Sequence, residues 1–428
     1  MLGCLVCAPC LVAAAPQTPI ASPMQQAPQP PGAAQNPSSA FPADTWWQTA
    51  MAAGDRDFNQ GDYDAAAHQF EAALAEAKKR PGNDQQVVGS LSKLAEAYQM
   101  LDRYGDAANA YLQALKIWER VLGPDSFIVA KGWEKLAGVY HLQGKDDNAI
   151  STYQHAIGII EKSAGSSSTA LDPDLKGLAE IYRSQGRYAE AENSCKQLLA
   201  IWEDALGPDH PVVAQQLNSL ASVYLAEGKD TLAAPMLRRA LTIAQKTMGP
   251  QDPFQIPILN NLGQAYYIEK KYAQAEPLLR RSLAITQRIA GMRAPETANV
   301  LNSLALVLDA ERKRAAAEPL YRRALKIWEA TQGPNSPDVA AALNNLAGLL
   351  AAEGRYKEAV PIYNRSLDVV QKAYGPSDLH VALALESYAA FLRKTKRTEE
   401  AQRMEEAAQA IRKVNARKSS PTAASSPE

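Results

Sequence analysis

The chain has 428 residues, more than one hydrophobic core usually serves, so several domains or a repeat array are expected. Lys and Arg number 45 against 46 Asp and Glu, and the net charge of -1 excludes a global basic field that would draw in nucleic acid or anionic lipid. Of four cysteines three are Cys4, Cys7 and Cys10, which leaves Cys195 alone and excludes a disulfide framework for the body of the chain.

The chain opens with "MLGCLVCAPCLVAAAPQ". Residues 1–15 resemble the apolar core and small-residue cleavage end of a secretory signal, and the run is too short to span a bilayer. The expected basic residue before the run is missing, since Arg56 is the first. Either this is a poor signal or the true start lies upstream; the expected location is the periplasm or envelope if the segment directs export, and otherwise the cytoplasm. The Cys4-x-x-Cys7-x-x-Cys10 string reads as small apolar residues of a cleaved segment, because no fourth Cys or nearby His completes a tetrahedral metal site. Residues 16–43 are rich in Pro, Ala and Gln and are expected to be a disordered linker.

From there to residue 414 one period governs the sequence. Gly123, Gly165, Gly207, Gly249, Gly291, Gly333 and Gly375 are each 42 residues apart. Each ends a helical run, where glycine adopts the left-handed conformation without a Cβ penalty. Pro211, Pro253, Pro295 and Pro337 open the next helix, with Asp252 and Ser336 before two of them as N-caps. Pro235, Pro277, Pro319 and Pro361 lie early in the second helix of their units, so that helix begins only a few residues earlier.

Other columns share the period. Ala107, Ala149, Ala191, Ala233, Ala275, Ala317, Ala359 and Ala401 mark a close approach of two helices. Leu94, Leu136, Leu178, Leu220, Leu262, Leu304 and Leu346 are a core column. So are Leu115, Ile157, Leu199, Leu241, Leu283, Leu325 and Leu367, and the residues two further on, Ile117 to Val369. Each unit is thus two antiparallel helices, A and B, joined by a turn at Gly144, Gly186, Gly228, Gly354 or a polar substitute such as Lys270. Nine pairs fill residues 44–414, the last carrying a charged second helix that suits a solenoid cap. Residues 415–428 are expected to be a disordered tail.

Leu91-x-x-Leu94-Ala95-x-x-Tyr98 followed by Ala107-x-x-x-Tyr111 resembles the tetratricopeptide repeat, with a period of 42 in place of 34. "LGPDHPVVAQQLNSLASVY" is similar to the kinesin-light-chain subgroup. The resemblance implies an all-α, right-handed superhelical α-solenoid with helix A lining a concave groove that binds peptides. It also places a groove column at Asn218, Asn260, Asn302 and Asn344, flanked by Ser92, Glu134, Lys176 and Glu386. A second column, Gln99, His141, Arg183, Leu225, Tyr267 and Asp309, is expected to set specificity, with Arg183 and Tyr267 as anchors. Consecutive A helices are expected ~16–20 Å apart, with helix B between them.

Asn offers both a donor and an acceptor, so the column suits a peptide backbone of any sequence. The expected function is a non-catalytic protein-binding or peptide-binding scaffold. The alternatives are self-assembly into a homo-oligomer or envelope component, and nucleic-acid binding, against which the missing aromatic–basic stripe argues. No phosphate loop, recurring nucleophile motif or metal-ligand spacing points to catalysis, a cofactor or a metal. No stable membrane span is expected. The partner and the oligomeric state are not specified by the sequence.

Overall fold

The computed structural model describes residues 42–79 and 81–418. The signal-like segment, the cysteine string and nearly all of the Pro-rich linker lie outside these residues, as do residues 419–428. Two compact units meet in sequence between Val223 and Tyr224. The first contains α1 Pro42–Asn59, α2 Tyr63–Ala77, α3 Asp84–Met100, α4 Tyr104–Leu122, α5 Phe127–Leu142, α6 Asp146–Ala164, α7 Asp172–Ser184 and α8 Tyr188–Leu206. The division falls within α9, Pro211–Glu227. The second contains α10 Asp230–Met248, α11 Gln255–Ile268, α12 Tyr272–Ile289, α13 Pro295–Ala310, α14 Arg314–Thr331, α15 Pro337–Ala352, α16 Tyr356–Tyr374, α17 Leu379–Lys394 and α18 Thr398–Lys418. The fold is an all-α repeat solenoid, with no strand among the described residues. The last helix runs to Lys418, so the first residues of the expected tail are helical.

From α1 to α8 and from α10 to α18 every helix packs on the next, and several A helices also touch one another: α5 touches α7, α11 touches α13, α13 touches α15 and α15 touches α17. The expected wide spacing of A helices is therefore corrected. A, B and the next A pack as a triangle, which brings the two A helices into contact instead of leaving B between them. The alanine column sits where A and B approach, and all eight of its members are 0% exposed. The Leu94 column is buried throughout. The Leu115 column is buried only at Leu115 and Leu241 and half-buried elsewhere, which corrects its placement in the core. The column two residues further on is the deeper one, with Ile159, Ile201, Ile243, Ile285, Ile327 and Val369 buried.

The turns follow the glycines. Gly207 takes φ 82° and stops α8, and Lys270 takes φ 61° in the A-to-B turn, where other units place glycine. Ser336 caps α15 by accepting from the Val339 N–H at 3.3 Å. Pro253 departs from expectation. It precedes α11, which starts at Gln255: the Gln255 N–H bonds the Asp252 carbonyl at 3.1 Å and the Ile256 N–H the Pro253 carbonyl at 3.0 Å, a tighter i to i−3 turn leading into the α-helix.

Successive repeats are tied by arginines. Arg281 donates to the Pro250 carbonyl oxygen at 2.7 Å, and Arg323 to that of Met292 at 3.1 Å, each reaching back 31 residues to the loop before its own A helix. The neighbouring Arg280 and Arg322 pair with Glu276 and Glu318, which also accept from Lys313 (2.7 Å) and Arg355 (2.6 Å) of the following repeat. All four of these arginines thus serve the fold internally, Arg281 and Arg323 directly and Arg280 and Arg322 through Glu276 and Glu318.

Candidate functional site

The A helices of the second unit carry a face of uncharged amides. The 42-residue period puts Asn260 on α11, Asn302 on α13 and Asn344 on α15 at one position of their helices. Of these helices α11 touches α13, and α13 touches α15. Their environments differ. Asn302 is 2% exposed, and its side-chain oxygen accepts from the Asn345 amide at 3.1 Å, across the junction of α13 and α15. Asn260 is half-buried and accepts from the Ser282 hydroxyl of α12 at 2.7 Å. Asn344 is half-buried, and its side-chain oxygen has no hydrogen-bond partner. Asn218 lies on α9 in the first unit, also half-buried.

Adjoining positions extend the amide face. Asn261 and Gln264 follow Asn260 on α11, and Asn345 follows Asn344 on α15. Gln264 is 6% exposed, with a side-chain oxygen that finds no partner. The sequence reading missed these three because their columns are not constant. Position 261 repeats as Ser303 and Asn345, and position 264 as Leu306 and Gly348. Their signal was adjacency to the asparagine column at the same period.

The second column lies at the A-to-B turn. His141 meets Asp146 at 2.7 Å, Asp309 meets Arg314 at 3.0 Å, and the Tyr267 ring lies 5.6 Å from that of Tyr272. Each partner stands at or beside the start of the following B helix, five residues on. Arg183 and Tyr267, the expected anchors, are both half-buried, one in each unit. Leu225 is buried.

The corresponding face of the first unit is charged. Lys93 pairs with Asp55 at 3.2 Å, Lys131 with Glu134 at 2.6 Å and Lys176 with Asp172 at 2.7 Å. Other distinctive side chains serve the fold. The Trp202 indole donates to Asp172 at 2.6 Å, Trp328 is buried, and burial pushes the Cys195 thiol up to about 11. No cluster of three metal-binding side chains exists among the described residues, and none of their helices is long and apolar enough to cross a membrane.

The sequence model of the tetratricopeptide repeat family matches residues 86–162, 171–246, 254–330, 296–368 and 338–413. No curated protein matches the chain in sequence. Among solved structures, the apo form of RapI aligns with a TM-score of 0.63 and 12% identity over 87% of this chain and 98% of its own. A Rap protein complexed with Competence and Sporulation Factor aligns at 0.50 and 15%, over 87% and 99%. BtubC (BKLC) from P. vanneervenii aligns at 0.43 and 21%, over 59% and 96%.

Proposed function

Because the chain belongs to the tetratricopeptide repeat family, we propose that it is a non-catalytic scaffold that holds an extended protein segment along the A-helix face of residues 224–418. The observation that carries this reading is chemical. Three touching A helices offer Asn260, Asn261, Gln264, Asn302, Asn344 and Asn345 with no charged side chain among these positions. A peptide backbone presents N–H donors and carbonyl acceptors, and a carboxamide answers both. The oxygens of Asn344 and Gln264 are closed to solvent and have no partner, so a peptide N–H that reaches them when the neighbouring side chains give way relieves a buried unpaired acceptor. Asn302 acts from behind by fixing Asn345. Tyr267, on α11, contacts side chains of the segment; Asn218 and Arg183 belong to the first unit and are proposed as contacts of its own A-helix face.

A face without charge grips the main chain and reads side chains weakly, so the expected ligand is an uncharged, extended stretch. The test is display selection from a random peptide library on the full chain, followed by hydrogen exchange with the selected peptide bound. Protection concentrated in α11, α13 and α15 supports the reading, and protection confined to the B helices contradicts it.

A second reading, self-association, is favoured by one patch. Val121, Leu122, Phe127 and Ile128 are all exposed around the turn from α4 to α5. Sedimentation of the full chain and of Ile128→Glu tests it. A dimer lost in the variant supports this use of the patch, and a monomer in both removes it.

A further inference from the structure

The turn from helix A to helix B holds one residue in the left-handed region. Gly144, Gly186, Gly228 and Gly354 fill that position, at φ 71° to 79°. In the second unit Lys270, Arg312 and Lys396 fill it, at 61°, 64° and 62°. A Cβ there strains the backbone, and glycine has none. Packing does not offset the strain, since a Cβ added at Gly228 or Gly354 meets no atom within 4 Å. Internal pairing does not either. The three cationic side chains are exposed and make no hydrogen bond or ion pair among the described residues. By contrast Asp102, at φ 57° in the first unit, accepts from the Tyr104 hydroxyl at 2.6 Å.

The charges around these turns are layered. Glu269, Glu276, Glu311 and Glu318 lie beneath, with side chains 12% to 17% exposed. Lys271 pairs with Glu269, Lys313 with Glu276 and Glu311, and Arg355 with Glu318. The inner acids are therefore already neutralised, and the left-handed cations are a surplus outside them. Around the four turns from α11 to α18, Glu399 is the one acid without a partner among the described residues, against Lys270, Arg312, Lys357, Lys394 and Lys396. Successive turns lie side by side. Arg314 donates to the Ala352 carbonyl oxygen of the next turn at 3.3 Å, and Lys313 and Arg355 each reach the B helix of the preceding repeat.

We propose that this edge of turns is a docking surface for an acidic protein segment. It is a second surface, apart from the amide face of α11, α13 and α15. Touching helices lie ~8–10 Å apart, so the edge offers a turn for about every three residues of an extended chain. Exposed Ile268 and Tyr356, beside the first and third of these turns, add apolar contact between the charges. A segment with spaced Asp or Glu side chains meets the free cations one at a time. A nucleic acid carries a phosphate at every residue, more charge than these cations answer, and the glutamates beneath repel the excess. Attraction of this kind is exposed to solvent and therefore salt-sensitive.

The probe is fluorescein-labelled decaglutamate, followed by fluorescence anisotropy with the full chain at about 0.05 M and about 0.5 M salt. Binding is expected at the lower salt, weakened at least about tenfold at the higher. The triple variant Lys270→Gly, Arg312→Gly, Lys396→Gly is expected to bind about tenfold more weakly at low salt. Its thermal midpoint should be equal to or above that of the parent, because glycine relaxes the three turns. Arg238→Gln, Lys246→Gln, Lys326→Gln removes the same charge from exposed positions on B helices of the unit and is expected to bind as the parent does. Absent binding, undiminished binding in the glycine variant, an equal loss in the B-helix variant or a lowered midpoint in the glycine variant overturns the proposal. Tighter binding of phosphatidylserine vesicles or of decathymidylate than of decaglutamate overturns the choice of an acidic protein segment.

Discussion

The Asn345 side-chain amide donates to the Asn302 oxygen at 3.1 Å, joining the A helices of two successive repeats through a side-chain pair whose Asn302 end is nearly closed to solvent. Asn302 therefore supports the fold, while Asn344, one residue before Asn345, keeps an oxygen without a partner. Asn302→Ala should cost about 1–3 kcal/mol, since it strands the Asn345 donor. Asn344→Ala should change stability by no more than about 0.5 kcal/mol, since it breaks no hydrogen bond of its oxygen. Urea unfolding of the two variants checks the contrast.

The alanine column admits no growth. Ala317→Leu places a larger side chain at a site that is fully closed, and should cost about 1–3 kcal/mol or more by overpacking. Ile285→Ala, in the deep column, should cost about 2–5 kcal/mol. Leu367→Ala, in the half-buried column, should cost clearly less than Ile285→Ala. Thermal melts of the three variants order these effects.

The arginine ties predict a local effect. Arg323→Ala removes the donor to the Met292 carbonyl and should cost about 0.5–1.5 kcal/mol. Its main sign should be faster limited proteolysis after Arg293, in the loop that it holds. Cleavage unchanged at that bond would show that the loop is held by other contacts.

Two acids bend the pH profile in opposite directions. Asp174 has its folded pKa raised to about 8 by burial, so the folded state holds its proton more tightly than the unfolded chain. Stability from this group is full below the unfolded carboxylate range and falls as pH rises toward about 8. Glu318 has its folded value lowered, chiefly by Arg355, so its contribution is present above the unfolded value and is lost as pH falls. Asp174→Asn should raise stability at about pH 7 by roughly 1–4 kcal/mol and flatten the profile above about pH 4. Glu318→Gln should leave that slope intact and remove part of the acid-side loss. Denaturant unfolding across pH resolves the two.

Much of the fold was legible because one constraint recurs. A glycine that must end a helix, an alanine that must let two helices meet and a leucine that must be buried return every 42 residues, and each is tied to its neighbour by packing. Pro253 escaped the pattern because the chain enters α11 through i to i−3 bonds from Gln255 and Ile256, a local turn that the proline column does not report. The site was less legible. The column of Asn260, Asn302 and Asn344 is constant in sequence, yet one member is buried in a hydrogen bond, one is tied to Ser282 and one is unpartnered. A residue's period tells which face it occupies, and its neighbours decide whether that face is free.

The central proposal, that uncharged amides of α11, α13 and α15 hold a peptide backbone, is tested most directly by one titration. A display-selected peptide is titrated into the full chain and into Asn344→Ala, at about 0.05 M and about 0.5 M salt. Affinity should fall about tenfold in the variant and change little with salt in either protein. Equal affinity for the two proteins, or a steep loss with salt, would contradict it.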